Sequence, residues 1–201
     1  GSNNTAVGRE ALEANTTANS NTAVGSCSLY ANTTGGANTA VGAFALDSNT
    51  TGYANTAIGC DALQTNTVGF HNVAVGENSL ELNTTGDQNV AIGVTALRAN
   101  TTANNNTAIG FSNLKCNTTG IQNTSVGACS LFANTTANDN TAVGYQALQD
   151  NTTGVRNVAL GKNALANNTT ADNSQAIGYN ALVNNTTGCQ NVALGSSALQ
   201  A

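Results

Sequence analysis

The sequence predicts an all-β chain, a parallel β-solenoid (β-roll) with one 17-residue repeat per coil. Three observations carry the prediction. A unit N-T-A-V-G-x-x-A-L-x-x-N-T-T-G-x-x runs from Asn4 with no insertion or deletion, eleven times in full and once in part. One Gly and one Leu recur at fixed places in every copy. The T-A-V triplets are short β-formers bounded by Asn and Gly, which favour turns. A short fixed period of this kind means that each repeat buries its apolar face only against its neighbours.

We number the places of the unit as slots 1 to 17 and the copies as coils, with coil 1 starting at Asn4 and coil 12 at Asn191. Slots 2 to 4 read as a strand. Slot 4 is always Val, Ile or Leu, and slot 2 is Thr or Val except at Gln175. Alternation along a strand puts slots 2 and 4 on one side and slot 3 on the other. Because slot 4 is the more apolar, slots 2 and 4 are expected to face the inside of the coil. Slot 5 is Gly in every copy: Gly8, Gly25, Gly42, Gly59, Gly76, Gly93, Gly110, Gly127, Gly144, Gly161, Gly178 and Gly195. Such recurrence predicts a bend or a positive φ. Slot 9 is Leu in every copy: Leu12, Leu29, Leu46, Leu63, Leu80, Leu97, Leu114, Leu131, Leu148, Leu165, Leu182 and Leu199. These are expected to stack along the opposite wall, giving strand, turn, strand, turn. Gly or Ala at slot 15 marks a second corner. A helix using slots 4, 8 and 9 is the alternative, and a Gly in every coil together with the Thr-rich runs opposes it.

Slot 3 is Ala except for Ser125, and two readings stay open. If it faces outward, its restriction to a small residue predicts another chain packed against the strand. If it faces inward, the coil is flattened and its two walls touch. All eight aromatic residues fall in variable slots: Phe111, Tyr145 and Tyr179 in slot 6, Phe44 in slot 7, Tyr30 and Phe132 in slot 10, Tyr53 and Phe70 in slot 16. The interior is therefore expected to be narrow and free of rings.

The array runs over residues 1–201 as one uninterrupted unit, so the repeat overrides any division by length. Gly1, Ser2 and Asn3 fit slots 15 to 17 in phase, and neither end shows a capping repeat. This predicts a segment of a longer fibre, or ends that join other copies. Only 7% of residues are charged, against roughly 25% in ordinary soluble proteins. With five Lys or Arg and a net charge of -5, no basic stripe exists and nucleic acid is not an expected partner. No apolar run is long enough for membrane insertion.

Unique residues are scarce, so no enzyme is expected, and no catalytic residue, cofactor or metal is assigned. The five cysteines occupy four different slots without zinc spacing, and read as incidental small residues. His71 stands alone in variable slot 17. The acids are scattered rather than held at one repeat position, unlike a calcium-binding β-roll.

The N-T-T triplets begin at Asn15, Asn32, Asn49, Asn83, Asn100, Asn117, Asn134, Asn151, Asn168 and Asn185, and at Asn66 the third residue is Val68. Each N-x-T is a candidate N-glycosylation acceptor. The structural reading is an Asn ladder, with stacked amides bonded along the axis. Asn66 keeps its amide after losing the acceptor Thr, which favours the ladder. Thr ranks at slots 13 and 14 raise ice binding, but adjacent residues point opposite ways in a strand, and a flat face needs paired ranks at alternate positions.

The unit, seen at residues 38–52 as NTAVGAFALDSNTTG, resembles repeats in tail-fibre proteins of aquatic phages and related viral or bacterial surface fibres. Its N-T-A-V-G part is similar to the head repeats of trimeric autotransporter adhesins, whose period is shorter. That resemblance implies a left-handed β-roll, a homotrimer or end-to-end fibre of identical copies, and an extracellular, cell-surface or virion location. The expected function is a structural surface-fibre segment, shaft or adhesin-like head. The alternative is a module that binds glycans or surfaces through slots 6, 7, 10 and 16, or a glycosylated filament.

Overall fold

The computed structural model describes residues 1–200. Twelve three-residue strands, from β1 (Thr5–Val7) to β12 (Val192–Leu194), form one parallel sheet in chain order. Each residue pairs with the one seventeen later, as Val73 with Val90 and Ala74 with Ala91. The fold is thus a β-solenoid with one repeat per coil, and it holds no helix among the described residues.

Hydrogen bonds between coils continue outside the strands. In coil 5, Gly76 N donates to Ile58 O at 2.8 Å, Leu80 N to Ala96 O at 3.0 Å, Thr84 N to Thr101 O at 2.9 Å and Gln88 N to Phe70 O at 3.1 Å. This network satisfies the backbone that a narrow stack takes away from water.

Two expectations need correction. The second wall is not a strand. Slots 6 to 11 run as turns, and slots 7 and 9 take positive φ, near +50° at every slot-9 Leu. A non-Gly residue there carries strain of ~1–3 kcal/mol. Full burial of a Leu returns ~1.5–3 kcal/mol, and the backbone bonds add to that. Leu80 N reaches the next coil, while Leu80 O accepts from Asn83 N at 3.1 Å within its own turn. The αL turn aims each Leu inward, and Leu29 through Leu165 are fully buried. The outer leucines differ: Leu12 and Leu182 are nearly buried, and Leu199 is 58% exposed.

The second correction concerns the strand's two sides. Slot 3 faces inward: Ala23, Ala40, Ala91 and Ala142 are 0% exposed and share one core with the leucines and the slot-8 alanines. Slots 2 and 4 face outward, so the flattened coil is the correct alternative. Two walls in contact leave room for a methyl opposite each Leu, and a Val or Ile would not fit without prising them apart. Ser125 keeps this geometry by pairing inside its coil. Its Oγ donates to Ser130 Oγ at 2.9 Å, and that hydroxyl donates to Ala147 O at 3.1 Å.

Gly at slot 5 is required twice over. Its φ lies between +124° and +143° in every coil. A Cβ built on Gly76 would also stand 2.7 Å from the backbone of Gly93.

Candidate functional site: an outward aliphatic face and two asparagine ladders

The twelve strands turn two parallel ranks of side chains outward. Slot 2 supplies mostly Thr and Val, and slot 4 supplies Val, Ile or Leu. No slot-4 residue is buried, and Ile58, Ile92, Ile109, Val143 and Ile177 are each 37–40% exposed. No charged residue interrupts either rank.

Inside the coil the slot-12 asparagines form a continuous ladder. Asn49 Nδ2 donates to Asn32 Oδ1 at 2.8 Å and to Gly52 O at 2.9 Å, and Asn66 Nδ2 donates to Asn49 Oδ1 at 2.9 Å. Both hydrogens of each interior amide are therefore committed. Asn32, Asn49, Asn66, Asn83, Asn100, Asn117, Asn134, Asn151 and Asn168 are 0% exposed. A glycan on these Nδ2 atoms is incompatible with the folded coil. Only Asn15 and Asn185, in the outer coils, reach solvent.

A second ladder runs along slot 1, where the sequence suggests only turn-favouring asparagines bounding each strand. Asn38 N donates to Asn21 Oδ1 at 2.9 Å, and Asn38 Nδ2 donates to Gly52 O at 2.8 Å. Gly52 O thus accepts from both Asn38 and Asn49, which ties the two ladders across the closure of the coil. The signal was present in the sequence: slot 1 is Asn in eleven of twelve coils. Ser174 fills the exception with longer contacts, at 3.3 Å to Gly188 O and 3.4 Å from Asn191 N. Slot 16 carries a further partial device. Asp87, Asn104 and Asp172 accept the backbone N–H of the same slot one coil earlier, from Phe70, Asp87 and Val155 at 2.7–2.9 Å. Several of the scattered acids and amides are therefore backbone acceptors.

The Thr ranks divide. Slot-13 hydroxyls bond along the stack, as Thr50 Oγ1 to Thr67 O at 3.0 Å. Slot-14 side chains such as Thr34, Thr51 and Thr85 are exposed.

The aromatic side chains use the stack without entering it. Tyr53 and Phe70, in slot 16 of adjacent coils, lie 4.9 Å apart and within 5° of parallel. His71 packs edge-on against both, at 5.3 and 5.2 Å. In slot 6, Lys162 Nζ sits 5.7 Å from the Tyr145 ring and 5.9 Å from the Tyr179 ring.

The charged and thiol groups are dispersed. Arg98 Nε pairs with Glu81 Oε2 at 2.5 Å, and that hydrogen bond raises the guanidinium pKa. Partial burial, then the like charge of Asp61, raises the Asp47 carboxyl. The hydrogen bond to Asp61 is the main cause that raises the Cys60 thiol, which opposes thiolate formation there. All five cysteines are free. Among the described residues no three His, Cys, Asp or Glu side chains gather as a metal-binding group, and no helix is long and apolar enough to cross a membrane. A cleft of about 360 Å³ lined by Leu182, Asn185, Gly188, Asn191 and Leu199 is the mouth of the last coil.

The fold and this face define the class of the molecule: a parallel β-solenoid with an aliphatic outer sheet and an asparagine-laddered interior. No protein-family model matches the chain, and no curated protein matches it significantly.

Proposed function

We propose that the chain is a structural, non-enzymatic segment of an extracellular, cell-surface or virion fibre, and that it assembles with copies of itself through slots 2 and 4. One observation carries this reading. Slot 4 is aliphatic in all twelve coils although it points out of the coil. Strand propensity favours Val and Ile at such a position, but it favours Thr, Tyr and Phe as well, and slot 4 holds none of these in any coil.

The dimensions support a second copy as the occupant. Eleven steps of ~4.8 Å make a stripe ~53 Å long, and two outward side chains make it ~10 Å wide. That is ~500 Å² per chain, in the upper part of the ~300–600 Å² range of a typical monomer's largest patch, which is often functional. Two such stripes together bury ~1,000 Å², about the threshold for a specific interface. A stripe so long and narrow suits several copies lying parallel around one axis. We assign a homotrimer, in agreement with the adhesin-head resemblance.

Slots 2 and 4 are also paired ranks at alternate outward positions, the arrangement that ice binding asks for. Slot 4 varies in length from Val to Leu, however, and a deformable protein contact tolerates that better than a rigid lattice does.

Light scattering tests the assembly. The native chain is expected at three times its 20.0 kDa monomer mass. Ile92→Glu with Val143→Glu should return it to monomer while the β signal in circular dichroism stays. A native monomer would sink the proposal, as would thermal hysteresis of freezing by a chain that never associates.

A further inference from the structure

We propose that the gap between Phe111 and Tyr145, floored by Ala128, is a binding site for an alkylated ammonium group. The three residues occupy slot 6 of coils 7, 8 and 9. Bonds from slot 7 hold that column in register: Cys129 N donates to Phe111 O at 3.0 Å, Gln146 N to Ala128 O at 3.1 Å and Asn163 N to Tyr145 O at 3.0 Å. The two rings are therefore anchored two coil rises apart, ~9.6 Å. Phe111 is 58% exposed and Tyr145 48%, so ring surface is open to solvent on both walls.

The same column shows what such a gap accepts. Two coils further along, Tyr145 and Tyr179 are again two coils apart, and the residue between them is Lys162. Its ammonium lies 5.7 and 5.9 Å from the two ring centroids. At Ala128 the intervening side chain ends at a methyl, so the layer between Phe111 and Tyr145 has walls and a floor but no internal cation. Rings in adjacent coils stack at 4.9 Å, as Tyr53 and Phe70 do. A gap of two rises thus admits one inserted layer. A cation midway stands ~4.8 Å from each ring, inside the ~6 Å reach of cation–π attraction. The net charge of -5 favours a cationic guest over an anionic one. Alkylation spreads the charge and matches the apolar walls, as in aromatic sites for quaternary ammonium. A choline-type headgroup and a partner's lysine side chain share this chemistry.

Choline chloride titrated into the native protein, with the Tyr and Phe ring protons followed by NMR at constant ionic strength, tests the site. We expect saturable shifts at Phe111 and Tyr145. The neutral isostere 3,3-dimethylbutanol should bind at least about tenfold more weakly. Nα-acetyl-lysine amide, run in parallel, distinguishes a side chain from a headgroup as the source. Ala128→Lys should reproduce the Lys162 layer, keep the fold and abolish choline binding. Lys162→Ala should open the neighbouring gap and raise the stoichiometry from one to two. The Ile92→Glu, Val143→Glu variant should bind choline as the native chain does, which separates this site from the fibre reading. Equal binding of the neutral isostere, unchanged binding by Ala128→Lys, or no saturable shift would overturn the proposal.

Discussion

Asn100 shows how much one side chain is asked to do. Its Nδ2 donates to Asn83 Oδ1 at 2.8 Å and to Ala103 O at 3.1 Å, and its Oδ1 accepts from Asn117 Nδ2 at 3.2 Å. A carboxylate has the same shape but no hydrogen to give, so Asn100→Asp sets a buried charge against two acceptors. We expect it to lose ~3–5 kcal/mol at neutral pH. Burial and the neighbouring oxygens raise the carboxyl pKa in the fold. A raised folded pKa means stability that is present at low pH and lost as pH rises through it. The deficit should therefore shrink on acidification, because protonation restores one donor. Urea midpoints at pH 7 and pH 4 check both the size and the sign. An equal deficit at both values would show that the amide serves only as a filler. The N-T-T spacing made this ladder legible in the sequence, because Asn66 kept its amide without its acceptor Thr. The αL leucines were not legible. Positive φ announces itself through Gly or Asn, and slot 9 holds neither.

At the scale of the element, the T-A-V triplet was readable as a strand, and its alternation was readable too. Which side faces inward was not. Bulk hydrophobicity favours burying Val and Ile ahead of Ala, and that rule loses here to the thickness of the coil. Slot 9 throws a full Leu across the interior, so only a methyl can meet it from slot 3. The restriction of slot 3 to Ala reports a close neighbour. That neighbour is the opposite wall of the same chain rather than another chain. The strand's two sides should therefore respond oppositely to the same substitution. Ala91 is 0% exposed and Ile92 is 38% exposed. Ala91→Glu should partly reduce the β signal in circular dichroism and lower the thermal midpoint of the chain. Ile92→Glu should leave both nearly intact. Equal damage from the two would mean that the walls do not touch.

The whole molecule is a one-dimensional stack, in which every coil contacts only its neighbours. Each strand touches just the one before and the one after, and the hydrogen-bonded register steps by seventeen residues throughout. Stability in such an array is approximately a sum of coil terms and neighbour interfaces. A defect should consequently stay where it is made. Leu97 sits in coil 6, fully buried between Leu80 and Leu114. Leu97→Asp places an unpaired charge in that stack, at ~3–5 kcal/mol. The half-buried pair beside it reaches solvent through Arg98 and is worth less, and Arg98→Ala, which breaks the contact to Glu81, should cost about 1 kcal/mol. Amide hydrogen exchange resolved by residue reads the difference in space as well as in size. In Leu97→Asp, protection should fall over coils 5 to 7 and persist in coils 2, 3, 9 and 10, with the β signal only partly reduced. In Arg98→Ala, the pattern should match the native chain. Uniform loss of protection across all coils would show that the rod unfolds as one cooperative unit, and that the interfaces between coils outweigh a broken coil.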